Sequence, residues 1–148
     1  MGTYDDLSVG DRFHTPARTL DEETVRSLIS IGGFTLPLFT DPAFAAASGF
    51  GRTPLPGQAV LLLMGGLVEQ TGRFDDSVIA LTGFDAVRFL KPAFAGDTVM
   101  TDVEVIAKEP TPSGGRGVMV MAWRCVKTGG ERIAEANARM LFNTGRRS

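Results

Sequence analysis

Hydrophobic and polar positions change their period along the chain. From Leu20 to about Ile31, Val25, Leu28 and Ile29 recur at helical spacing, and Glu22 and Glu23 stand in the first turn, where the helix dipole favours acids. Asp21 or Thr19 is positioned to cap this helix, and Gly32-Gly33 ends it. Asp41 followed by Pro42 predicts a short second helix over 42–48, closed by Gly49 and Gly51. Pro56 opens the third helix, in which Ala59 to Val68 is apolar on nearly every side, as a buried helix is. Gly65-Gly66 within it costs helix propensity, which points to close packing against a sheet or a partner helix.

Beyond Ser77 the period becomes two. Ser77 to Lys91 is rich in Val, Ile and Phe and ends at Pro92. Over 98–107, Val99, Thr101, Val103 and Val105 share one strand face, with Met100, Asp102 and Glu104 on the other. Over 116–127, Val118, Val120 and Ala122 oppose Met119, Met121, Trp123 and Cys125. Over 131–143, Ala134, Ala136, Ala138 and Met140 oppose Glu135, Asn137 and Arg139. The breaks at Pro110-Thr111-Pro112-Ser113-Gly114-Gly115 and Gly129-Gly130 predict hairpin loops between antiparallel strands, and a further strand is expected over 12–19. The order predicts an α+β fold in one domain over residues 1–148. A curved antiparallel sheet wrapped around the long central helix is expected, because it would hide an all-round apolar helix in so short a chain.

Composition narrows the chemistry. The chain has 148 residues, of which 43% are hydrophobic, and 15 basic against 17 acidic residues without blocks of one sign. Neither a strongly basic nucleic-acid binder nor an acidic solvating tail fits this balance. The apolar run around Ala59–Val68 is shorter than the roughly 20 residues that span a bilayer. The opening MGTYDDLSVGDRF has neither a basic nor an apolar leader region, so a cytoplasmic protein is expected, with no membrane partner. One cysteine, Cys125, excludes an internal disulfide and a multi-cysteine metal site. One histidine, His14, leaves a hydrolytic zinc site or a Ser-His-Asp triad to be built around that residue alone, and no metal or cofactor is expected.

Two segments carry a resemblance. Val87-Arg88-Phe89-Leu90-Lys91-Pro92-Ala93-Phe94-Ala95-Gly96-Asp97-Thr98 is similar to a "VRFLxPVFxGDT" signature, and Gly33 to Ala45 lines up with a "GDxNPLHxDxxxA" segment. Gly51-Arg52-Thr53-Pro54-Leu55-Pro56-Gly57 stands where "GGRIAHG" precedes the long helix, and Tyr4 to Asp11 is similar to the same proteins' start. These are marks of the MaoC-like hydratase/dehydratase family, which the chain resembles over nearly its whole length and which implies the hot-dog fold. The resemblance implies a hydratase dyad of Asp and His supported by Asn, a base for water and an acid for Cα of an enoyl thioester. Here those places hold Phe34, Leu36 and Phe39, none of which can move a proton.

The binding half carries over better. In the resembled enzymes backbone N–H groups opening the central helix bind the thioester carbonyl oxygen, and the matching positions are Gly57 and Gln58. Gly57 either admits a ligand close to the backbone or simply permits the turn into a tightly packed helix. Phe34, Phe39, Phe44 and Phe50 either enlarge an apolar acyl tunnel or fill it. His14 reads as an edge-strand histidine, Cys125 as a buried thiol, Asp41 as a helix cap, and Arg88 as half of a structural ion pair. The first expectation is thus a non-hydrating or structural subunit of a dimer, binding an acyl-CoA, an acyl-carrier thioester or another apolar small molecule. Its partner would be a second copy or a MaoC-like chain bearing the dyad. The alternatives are dehydration, isomerisation or cyclisation by positioning alone in an apolar pocket, and a conventional (R)-specific enoyl-CoA hydratase. A thioesterase fits poorly, since its candidate carboxylate, Glu69, comes late in the helix.

Overall fold

The computed structural model describes residues 4–112 and 114–144; residues 1–3 of the opening segment and Ser113 of the first expected hairpin loop lie outside the described residues. A 3-10 turn at Tyr4–Asp6 precedes β1 (Arg12–His14) and β2 (Arg18–Thr19). Three short helices follow, α1 (Glu22–Gly32), α2 (Pro37–Thr40) and α3 (Pro42–Ala47), then the long α4 (Gly57–Gln70). The chain finishes with β3 (Val78–Phe89), β4 (Thr98–Pro110), β5 (Arg116–Lys127) and β6 (Arg132–Asn143).

The helix ends follow from their caps. Asp21 accepts from Thr24 N at 2.6 Å, and hydrogen bonds from Thr24 hold its carboxyl below the usual carboxylate range. Gly33 closes α1 at φ 70°, a left-handed conformation that favours glycine. Asp41 caps α3 by accepting from Ala43 N and Phe44 N at 3.0 and 3.4 Å. The four-residue α2 has no side-chain cap, which is why its sequence carries no start signal. Pro16 interrupts the expected strand over 12–19, leaving β1 and β2 as two short pieces, both paired with β4.

The strands form one antiparallel sheet in the order β1-β4-β5-β6-β3, with β2 also on β4. The β5–β6 hairpin turns on Gly129 and Gly130, at φ 101° and 93°, where a side chain would be strained. The period-two pattern sorts as expected: Val99, Thr101, Val103 and Val105 of β4 are buried against α4, beside Met121, Trp123 and Cys125 of β5.

The expectation of a sheet wrapped around a wholly buried helix is overturned. The sheet is open: it has a short edge at β1 and β2 and a long edge at β3, and it neither closes nor curls strongly around α4. Only one stripe of α4 is covered, by Ala59, Val60, Met64, Leu67 and Val68, while Leu62 on the opposite side is 62% exposed and Gln58, Gly66 and Glu69 face outward with it. The physical reason is supply of surface. A single sheet on one side of a helix covers one stripe of it, and this chain has no second layer for the other. Among the described residues no helix is long and apolar enough to cross a membrane.

Candidate functional site

The segment over 91–98 is a turn built to hold the start of α4. Phe94 N donates to Asp97 Oδ2 at 2.8 Å, and Lys127 Nζ lies 3.2 Å from the same oxygen. Leu55 N donates to Ala93 O at 2.7 Å, and Arg52 donates to Ala95 O at 3.3 Å while its guanidinium sits 4.2 Å above the Phe94 ring. The segment leading into α4 is therefore tied to the turn from both sides. Arg52 is a contributor that the residue pattern alone does not reveal, since its partner is 42 positions away.

At the head of α4, Pro56 is the cap and offers no side-chain acceptor. Its carbonyl receives Ala59 N and Val60 N at 2.9 and 3.2 Å, so the N–H groups of Gly57 and Gln58 come before the first intrahelical bonds. The Phe89 ring of β3 lies over Gly57; a Cβ there would stand 3.0 Å from three ring carbons. Halfway along the helix, Thr101 Oγ1 donates to Met64 O at 3.1 Å, and Thr101 N donates to Thr15 Oγ1 at 2.9 Å. This buried polar chain fastens the middle of α4 to β4.

Two clefts flank these features. The first, about 680 Å³, runs between the open face of α4 and the β3 side of the sheet, past Leu61, Leu62, Phe84 and Trp123, with Gln58 on its lining. Phe84 and Trp123 meet edge to face at 5.4 Å, and the far edge of the indole would approach a Gly65 Cβ to 3.3 Å. Among the described residues the buried indole Nε1 has no hydrogen-bond partner. The second, about 740 Å³, lies between α1, α3 and the 51–53 segment, and holds Phe34, Phe39, Arg26 and Arg52 on its walls. Phe34 and Phe39 pack edge to face, with centroids 5.7 Å apart and planes at 66°.

The structure thus brings Phe34 together with Phe39 and sets both apart from Gln58, which lines the other cleft. Leu36 points away from the packed interior and is 62% exposed. His14 is exposed on β1, 3.9 Å from Asp102. Cys125 is buried, and that burial pushes its thiol up to about 12, so it is no ready nucleophile. Asp41 is engaged in capping. Among the described residues no cluster of three His, Cys, Asp or Glu side chains is placed to hold a metal.

Comparison with known proteins agrees with this architecture. Protein MaoC of Klebsiella aerogenes is 30% identical over 96 residues, which are 65% of this chain but only 28% of that protein's length. The structure of a monoamine oxidase regulatory protein from Archaeoglobus fulgius superposes with a TM-score of 0.89 at 28% identity, covering 97% of this chain and 95% of the other. An (R)-hydratase of A. caviae involved in PHA biosynthesis superposes with a TM-score of 0.68 at 25% identity, covering 93% and 97%. The MaoC like domain model matches residues 7–118, and the chain belongs to this hot-dog family of dehydratases and hydratases.

Proposed function

We propose that this chain, as one domain over residues 1–148, binds an acyl thioester and serves as a non-hydrating or structural subunit of a dimer. The observation that carries the reading is the edge-to-face pair of Phe34 and Phe39. The family resemblance puts the base and the acid of hydration at these two positions, and hydration needs both a proton acceptor for water and a donor for Cα. Two phenyl rings packed on each other supply neither. The free N–H groups of Gly57 and Gln58 would take the thioester carbonyl, since donors and the positive end of the helix dipole converge there. The apolar cleft beside Leu62 and Trp123 would take the acyl chain.

The test is an assay of the purified protein with a short and a medium trans-2-enoyl-CoA, paired with calorimetric titration of the saturated acyl-CoA. Binding without hydration is the expected result, and Leu62→Trp, which fills the cleft, should abolish the binding. Hydration that survives His14→Ala would overturn the non-hydrating reading in favour of a conventional hydratase. Conversion to a product other than the hydrated one would favour chemistry by positioning.

A further inference from the structure

The second cleft holds charge that the fold itself does not use. Part of its lining is apolar: Val25 and Ile29 of α1 are buried there, and the rings of Phe34 and Phe39 are half-buried beside them. Two exposed guanidinium groups reach it from different walls, Arg26 from α1 and Arg52 from the 51–53 segment. A cavity of about 740 Å³ with an apolar lining and a few polar groups has the make-up of a small-molecule site.

The two arginines are held differently. Arg52 is fixed twice, by its bond to Ala95 O and by its seat over the Phe94 ring, and Ala95 is itself part of the cleft wall. A guanidinium carries five N–H donors in a rigid fork, so one bond to a carbonyl leaves donors over, in an orientation already set. Such preorganisation lowers the cost of binding an anion. Arg26 makes no ion pair within 4 Å among the described residues, although Glu22 stands one turn before it on the same face of α1. Glu22 is the one carboxylate on the lining of this cleft, so two arginines and one glutamate leave it a single net positive charge.

We propose that this cleft binds an apolar monocarboxylate, with its carboxylate on Arg52 and Arg26 and its apolar body against Phe34 and Phe39. A single net positive charge matches a monoanion, whereas a dianionic phosphate would set surplus negative charge against Glu22. A carboxylate also suits the planar fork of a guanidinium, which can offer it two parallel N–H donors. The site is separate from the one assigned to the thioester, because Gln58 and Leu62 line the other cleft, and binding at one can be lost with binding at the other kept.

The test is calorimetric titration of the purified protein with 3-phenylpropionate, set against its uncharged amide and against phenyl phosphate. The acid should bind, and the amide should bind roughly tenfold more weakly or not at all, since it lacks the charged hydrogen bonds. Arg26→Gln should weaken the acid by about threefold and Glu22→Gln should tighten it by a similar factor, the size expected for exposed charges. Opposite signs at two positions one helical turn apart do not come from a general loss of structure. Arg52→Gln should weaken the acid most, by about tenfold or more; if that variant does not fold, Arg26→Gln and Glu22→Gln still decide. Leu62→Trp, which fills the other cleft, should bind 3-phenylpropionate as the parent does. No binding of the acid, equal binding of acid and amide, or an Arg26→Gln variant that binds like the parent would overturn the site. Phenyl phosphate binding more tightly than the acid would overturn the choice of a carboxylate, and loss of acid binding in Leu62→Trp would move the ligand to the other cleft and overturn the proposal as well.

Discussion

The Phe89 ring lies over Gly57, where a Cβ would stand 3.0 Å from three of its carbons and would have to displace it. The contact joins residues 32 positions apart and links the long sheet edge to the helix terminus. Gly57→Ala should cost about 1 kcal/mol through displacement of the ring, and the two positions should couple by about 0.5–3 kcal/mol, as residues in direct contact do. In a Phe89→Ala background the same change should be neutral or favourable, since alanine is the better helix former. A double-mutant cycle on urea midpoints measures this. Equal costs in both backgrounds would show that the ring does not constrain Gly57.

The two glycines inside α4 should respond oppositely. A Cβ at Gly66 meets nothing within 4 Å, so Gly66→Ala should stabilise by about 0.5–1 kcal/mol from helix propensity alone. A Cβ at Gly65 would stand 3.3 Å from Trp123, whose ring packs edge to face on Phe84 at 5.4 Å and would have to give way. Gly65→Ala should therefore fall below Gly66→Ala by about 1 kcal/mol or more, the cost of overpacking offsetting the propensity gain. Thermal melts of the two variants side by side decide it.

Much of this was legible in the residues, and the failures share a cause. The alternation over 98–105 and 116–125 assigned faces correctly because a strand has only two of them. Asp21 and Asp41 announced α1 and α3 because a cap is a local hydrogen bond between near neighbours. The run Ala59–Val68 misled because hydrophobicity records which surfaces avoid water and not what covers them. Leu62 is apolar, yet its own chain leaves it open. Phe34 and Phe39 could be read as apolar groups of one segment, though not as an edge-to-face pair. Phe89 over Gly57 and Arg52 on Phe94 could not, because both contacts depend on where the β3–β4 connection crosses the sheet.

Ala86 is the single residue other than glycine with positive φ among the described residues, at 53°, in the bulge of β3. A Cβ in the left-handed region costs roughly 1–2 kcal/mol, part of which a glycine returns as extra entropy of the unfolded chain. Ala86→Gly should accordingly stabilise by about 0.5 kcal/mol, with the bulge retained. Ala86→Val, whose branched side chain tolerates that region least, should destabilise by more than 1 kcal/mol, on the order expected for a strained backbone. Chemical denaturation of the pair gives both signs in one experiment.

Cys125 should make the fold sensitive to alkali. Its thiol is buried beneath α4, and burial raises it from 9.0 to about 12. In the unfolded chain the same thiol ionises near its ordinary value, so above pH 9 the unfolded state releases a proton that the folded state keeps. The stabilising effect is complete below pH 9 and is withdrawn as the pH climbs toward 12, at about 1 kcal/mol per pH unit. Cys125→Ala removes that dependence and leaves a small cavity whose cost is independent of pH. The stability gap between parent and variant should therefore narrow by about 2 kcal/mol from pH 9 to pH 11. Urea titrations at three pH values in that window read the gap directly, and a gap that stays constant would mean that the thiol is reached by water in the native state.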